Sequence, residues 1–138
     1  MIGIDGLIGV IHKEIERSRS VKAEEKRKIR EAFLSIKIVL NSAILKIKLC
    51  KEHGYHHPKK LRLCIPEIVL EINHVAGLTK DILDIDIYNG LVIMANWLVD
   101  FNEKINSLSL GTKTEPDIEE ILKTLNNLKD NVEKIENE

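Results

Sequence analysis

Five residues of metal-ligating or nucleophilic type crowd one short stretch of the chain. They are Cys50, His53, His56, His57 and Cys64, in the pattern C-x2-H-x2-H-H-x6-C. Zinc takes four soft or borderline ligands in a tetrahedron, and a helix end, a loop and the next helix start supply such a set. Cys50, His53, His57 and Cys64 are therefore the candidate ligands. The spacing matches no strong zinc pattern, and Cys50 also continues an apolar helical seam, so burial accounts for it without a metal. The expectation is a core cysteine beside a polar, histidine-bearing loop, with no metal and no other cofactor. A Cys50–Cys64 disulfide is sterically allowed but disfavoured in a reducing compartment.

Other chemistry-bearing residues carry weaker patterns. Glu71 and His74 form a single E-x-x-H, with Glu67 one turn earlier, whereas a di-iron bundle needs two such motifs and two further glutamates. Asp81, Asp84 and Asp86 lack the glycine and terminal glutamate of a calcium loop, so capping and solvation explain them. The chain has no nucleophile elbow, phosphate loop, dinucleotide fingerprint or H-E-x-x-H. No catalytic residue is assigned, and the chain reads as non-enzymatic.

A basic patch, Lys46, Lys48, Lys51, Lys59, Lys60 and Arg62, surrounds the same histidines. Phosphate contacts need nothing more. Tyr55 is the only aromatic nearby, so single-stranded bases would find one stacking platform. Binding of nucleic acid or an acidic partner at this end is the alternative function.

The elements that must position these residues are legible from periodicity. Ile29, Phe33, Ile36, Leu40, Ala43, Ile47 and Cys50 recur at alternating steps of four and three, an unbroken helical seam. Ile118, Ile121, Leu125, Leu128, Val132 and Ile135 form a second, with Thr114 as its cap and Pro116 in its first turn. Ile87, Leu91, Met94, Leu98, Phe101, Ile105 and Leu108 form a third. Leu61, Ile65, Ile68, Ile72 and Val75 form a fourth, in which Pro66 should start or kink the helix. Leu7, Ile8, Ile11 and Ile15 give a shorter first helix. Ser20 is a plausible N-cap, and Gly54, Gly77 and Gly111 are plausible stops.

The fold class is therefore all-α: an antiparallel four-helix bundle with an additional short N-terminal helix. One domain spans 1–138, with helices at about 5–17, 21–53, 58–76, 86–109 and 115–136. The alternation in 61–65 and 83–87 is the one rival signal, since a basic and an acidic strand would pair as a ribbon.

Two helices carry more apolar surface than a simple bundle hides. Twelve of the eighteen residues from Phe33 to Cys50 are apolar, and nine of the eleven from Leu91 to Phe101. A bundle helix needs only three or four per two turns. Surplus Ile, Leu and Val left in water marks an interaction site. The chain thus reads as a protein-interaction and oligomerisation module, a homodimer first. Its partner-binding residues would be Phe33, Ile38, Leu45, Leu49, Val92, Ile93 and Trp97. A compact monomer completed by the first helix is the competing expectation.

Charge is split along the chain although the net charge is only −1. Lys13 to Arg62 holds fifteen basic and six acidic residues; Glu67 to the end holds six basic and fifteen acidic. The halves either face each other within one fold or set register between copies. The longest charge-free run, Ile87 to Val99, is too short to span a bilayer. Two cysteines and a non-basic N-terminus make a cytoplasmic location the default. Residues 1–16, if released from the bundle, would be an amphipathic membrane-active helix, the remaining alternative.

Overall fold

Over its described residues, each apolar seam becomes the buried stripe of one helix. The computed structural model describes residues 2–52, 58–107 and 115–138, with side chains described over 5–50, 63–103 and 118–138. Among the described residues five helices follow in order. They are α1 (Ile2–Ser18), α2 (Ala23–Glu52), α3 (Pro58–Thr79), α4 (Ile85–Ser107) and α5 (Glu115–Glu133), closed by a 3-10 turn at Lys134–Asn137. Ile29, Phe33, Ile36, Leu40, Ala43 and Ile47 are all buried, as are Ile118, Ile121, Leu125, Leu128, Val132 and Ile135. Residues 61–65 lie within α3, and Ile85 to Ile87 open α4. The strand ribbon is therefore excluded: longer helical seams on either side absorb both alternating runs.

The first helix is an integral member of the packing rather than an appendage. Contacts run α2 to α3, α3 to α4, α4 to α1, α1 to α5 and α5 back to α2, a closed circuit of five helices. Side-chain pairs set the directions. Cys50 faces Cys64 at 3.5 Å, while Lys46 reaches Glu71 at 2.6 Å, so α2 and α3 are antiparallel. Arg30 donates to the Glu136 carbonyl at 3.3 Å and Lys37 reaches Glu133 at 3.7 Å, so α2 and α5 are antiparallel. Leu7 lies on Gly90 and Glu14 meets Asp84, so α1 and α4 are antiparallel. His12 meets Asn131 and Arg19 meets Glu138, so α1 and α5 run parallel. A closed circuit of an odd number of alternating helices requires one such parallel pair.

The helix ends depart from the sequence reading in instructive ways. Ser20 does not cap α2; its hydroxyl turns back to the Arg17 carbonyl at 3.1 Å. Gly77 does not stop α3, which runs on to Thr79. There the Thr79 hydroxyl donates to the Val75 carbonyl at 2.9 Å, and the Thr79 carbonyl accepts Leu83 N–H at 3.0 Å. Leu83 is thereby buried as the plug of the α3–α4 turn. Asp84 caps α4, its carboxylate accepting Asp86 N–H at 2.8 Å. Pro66 sits exposed inside α3, where it removes one backbone bond on the solvent side. Gly54, Gly111 and Thr114 lie outside the described residues.

One charged side chain is locked into this frame. Glu14 follows Leu7 and Ile11 on the buried stripe of α1, and its side chain is 1% exposed. It accepts Asp84 N–H at 2.7 Å and pairs with Arg17, which also reaches Glu25 at 3.0 Å. A single carboxylate thus joins α1 to the start of α4 and, through Arg17, to the start of α2.

Candidate interaction surface

A helix turns about 100° per residue, so a residue's position on the circumference follows from its number. The buried seam of α2 centres on Ile29, Ile36, Leu40 and Ile47. Leu34, Ile38, Leu45 and Leu49 fall on the opposite side, and all four are exposed. On α3 the same construction places Leu63 and Leu70 opposite the Ile65–Ile72 seam, with Leu78 nearby, and these too are exposed. The seven side chains keep between 48% and 76% of their surface in water.

The two stripes lie side by side. The Cys50–Cys64 contact and the Lys46 bridge to Glu67 and Glu71 fix the α2–α3 register. That register brings Leu49 level with Leu63, Leu45 with Leu70, and Ile38 with Leu78. Between the stripes Lys46 holds Glu71 at 2.6 Å and Glu67 at 3.3 Å. The hydrogen bond to Glu71, then that to Glu67, holds the lysine above its ordinary range. A groove of about 200 Å³, walled by Phe33, Leu34, Val132 and Ile135, continues the face toward α5.

The sequence-predicted partner residues divide. Ile38, Leu45 and Leu49 belong to the exposed face. Phe33 does not: it is fully buried, because the α2 core seam passes through it. Of the three predicted on α4, Ile93 is exposed, while Val92 and Trp97 are half-buried and Trp97 packs against the core. The surplus apolar surface of α4 is largely taken up by α1, which approaches closely where Gly90 offers no side chain. Leu63, Leu70 and Leu78 are additions that sequence reasoning missed; the step of seven from Leu63 to Leu70 was the available signal.

Lys46 is engaged with Glu67 and Glu71, and Lys48 is exposed. Lys51, Lys59, Lys60 and Arg62 fall outside the described side chains, so the predicted basic patch lies largely beyond them. Cys50 and Cys64 face each other without a disulfide. His53, His56 and His57 lie outside the described residues, and among those described no three ligand-type residues converge as a metal group. Burial, then the hydrogen bond with Cys50, pushes the Cys64 thiol up to about 12. Glu71 serves Lys46 while His74 is exposed, which leaves the E-x-x-H without an inward-facing pair.

A polar cleft of about 490 Å³ opens between α1 and the chain end, lined by His12, Glu16, Arg19, Lys134, Asn137 and Glu138. Its groups answer one another. Arg19 pairs with Glu138, and the Asn131 side-chain oxygen meets His12 at 2.6 Å and Lys134 at 3.1 Å. Leu7, Ile11 and Ile15 of α1 are buried, so freeing that helix for a membrane would expose all three. No helix among the described residues is long and apolar enough to cross a membrane.

No protein-family model matches the chain, and neither a curated protein nor a solved structure matches it.

Proposed function

We propose that this chain is a helical-bundle interaction module that docks protein through the outer face of α2 and α3, with self-association as its first use. The observation that carries the reading is the double row Leu34, Ile38, Leu45, Leu49, Leu63, Leu70 and Leu78, exposed on adjacent helices. Each half-exposed aliphatic side chain leaves about 1 kcal/mol of burial unrealised. Covering seven of them gains roughly 7–10 kcal/mol on this side alone, against an association cost of about 4–15 kcal/mol. A partner that presents comparable apolar surface brings the balance to useful affinity.

The charge split works mainly inside the fold. Lys37 with Glu136, Lys46 with Glu71 and Arg19 with Glu138 each join the basic half to the acidic half. Apolar burial therefore carries the docking, and charge orients it.

Light scattering on size-exclusion eluates, from micromolar to near-millimolar chain, tests the reading. The expected result is association that Leu45→Asp or Leu70→Asp abolishes without changing the far-ultraviolet circular dichroism. A chain that stays monomeric and binds no hydrophobic dye overturns it.

A further inference from the structure

We propose that the α2 seam binds a second copy of this chain, antiparallel, about a twofold axis between Asn41 and Ser42. The inference rests on the reading of the α2–α3 outer face as a docking surface and names its occupant. A twofold interface uses one patch twice, so each residue must find its match when the patch is reversed. The α2 seam meets that condition. Reversal about the midpoint of Asn41 and Ser42 exchanges Leu34 with Leu49, Ile38 with Leu45, and Asn41 with Ser42. Large aliphatic groups meet large aliphatic groups, and an amide meets a hydroxyl. Both central residues are half-buried, so they are already shaped into the surface. A polar pair inside an apolar seam is satisfied in one alignment and penalised in others, which sets register.

The area required selects this geometry over a parallel one. The seven exposed side chains offer roughly 100 Å² each, on the order of 700 Å² per protomer against the ~800 Å² per partner of stable complexes. The α2 stripe supplies only about half of that. An axis perpendicular to α2 and lying in the interface pairs α2 with its copy and also lays α3 over its own copy, bringing Leu70 level with the partner's Leu78 and Leu63 level with the partner's α3–α4 turn. A parallel pairing turns the two α3 helices to opposite sides and leaves Leu63, Leu70 and Leu78 in water. It would also stack the Glu24–Arg27–Glu31 ion cluster on itself, which the antiparallel pairing separates.

Cross-linking reads the register directly in the full chain. In the antiparallel dimer position 34 faces position 49 of the partner, while two copies of position 34 stand about 22 Å apart along the axis. A disulfide spans only about 4.4–6.8 Å between Cα atoms. Chains carrying Leu34→Cys and Leu49→Cys should therefore cross-link when mixed under oxidised glutathione, each thiol being oxidised as the glutathione disulfide is reduced. Neither should cross-link with itself at the new cysteine, as judged by mass spectrometry of the joined peptides. An Ile38→Cys and Leu45→Cys pair should behave alike, and Leu45→Asp should weaken the dimer by ~100-fold. Self-cross-linking of Leu34→Cys alone overturns the antiparallel seam while the docking face stands. A wild-type monomer at near-millimolar concentration overturns the second copy as occupant, and dye binding lost in Leu45→Asp then still preserves the face. Association indifferent to Leu45→Asp and Leu70→Asp overturns both.

Discussion

Leu7 Cδ1 lies 2.6 Å from the point where a Cβ on Gly90 would stand, with Leu7 Cβ and Cγ at 3.1 Å. Gly6, Gly9 and Gly77 have no neighbour within 4 Å of that point. The missing methyl is what lets α1 press onto α4 and cover its second face. Gly90→Ala gains about 1 kcal/mol of helix propensity but forces Leu7 aside, and overpacking of this kind costs about 1–3 kcal/mol. The net expectation is a loss of about 1 kcal/mol. Gly77→Ala, with nothing to meet, should gain about 1 kcal/mol. Urea midpoints of the two variants should move in opposite directions, and equal shifts would refute the close approach of α1.

The seams were legible because a period of three and four identifies the face that water leaves. It does not identify the helix that covers that face. The sequence of α4 is apolar on two sides, and so is that of α2; only the Leu7–Gly90 approach distinguishes them, hiding one surplus and leaving the other. The five-helix circuit has the same origin: α1 closely precedes α2 in sequence yet spends its apolar stripe on α4 and α5. Glu14 was visible in principle, since the step from Ile11 places it on the buried stripe. Charge alone argued for the surface, and only the Asp84 amide and Arg17 make its burial tolerable.

Glu14 supplies a test of how α1 is held. Its carboxylate serves the Asp84 amide at the start of α4 and pairs with Arg17. Glu14→Leu leaves that amide without its acceptor and should cost about 2–3 kcal/mol. Glu14→Gln keeps one acceptor and should cost less. Hydrogen exchange at the Asp84 amide should accelerate in the leucine variant well beyond the change in global stability. Unaltered protection of that amide would show the contact to be idle.

The Cys64 thiol predicts a pH dependence. Its pKa, pushed from 9.0 to about 12 by burial and by Cys50, leaves about one thiolate in ten thousand at pH 8. Iodoacetamide should label Cys64 far more slowly in the folded chain than in urea, and faster as the pH rises from 9 toward 12. The same shift bears on stability. The folded chain keeps a proton that the unfolded chain releases, so the contribution is full below pH 9 and lost as the pH climbs toward 12. Lys46 and Lys37, held above their ordinary range by Glu71 and Glu136, act in the same direction. Rapid labelling of Cys64 in the folded chain at pH 8 would contradict the shielding of its thiol by burial and by Cys50.

Asn41 separates affinity from orientation. It interrupts an otherwise aliphatic seam between Ile38 and Leu45, and its backbone position leaves the side chain half-buried on the outer face. Asn41→Leu adds an apolar contact in each subunit, worth about 1–2 kcal/mol when covered, and should tighten association about tenfold or more. It also removes the amide that the partner's Ser42 answers, so alternative alignments become comparable in energy. Combined with Leu34→Cys, the variant should begin to cross-link with itself, a product absent when Asn41 is kept. The stability of the isolated bundle should change little, because Asn41 lies off the buried Ile29–Ile47 seam. Tighter association with the cross-linking pattern unchanged would mean that the aliphatic residues alone set the register.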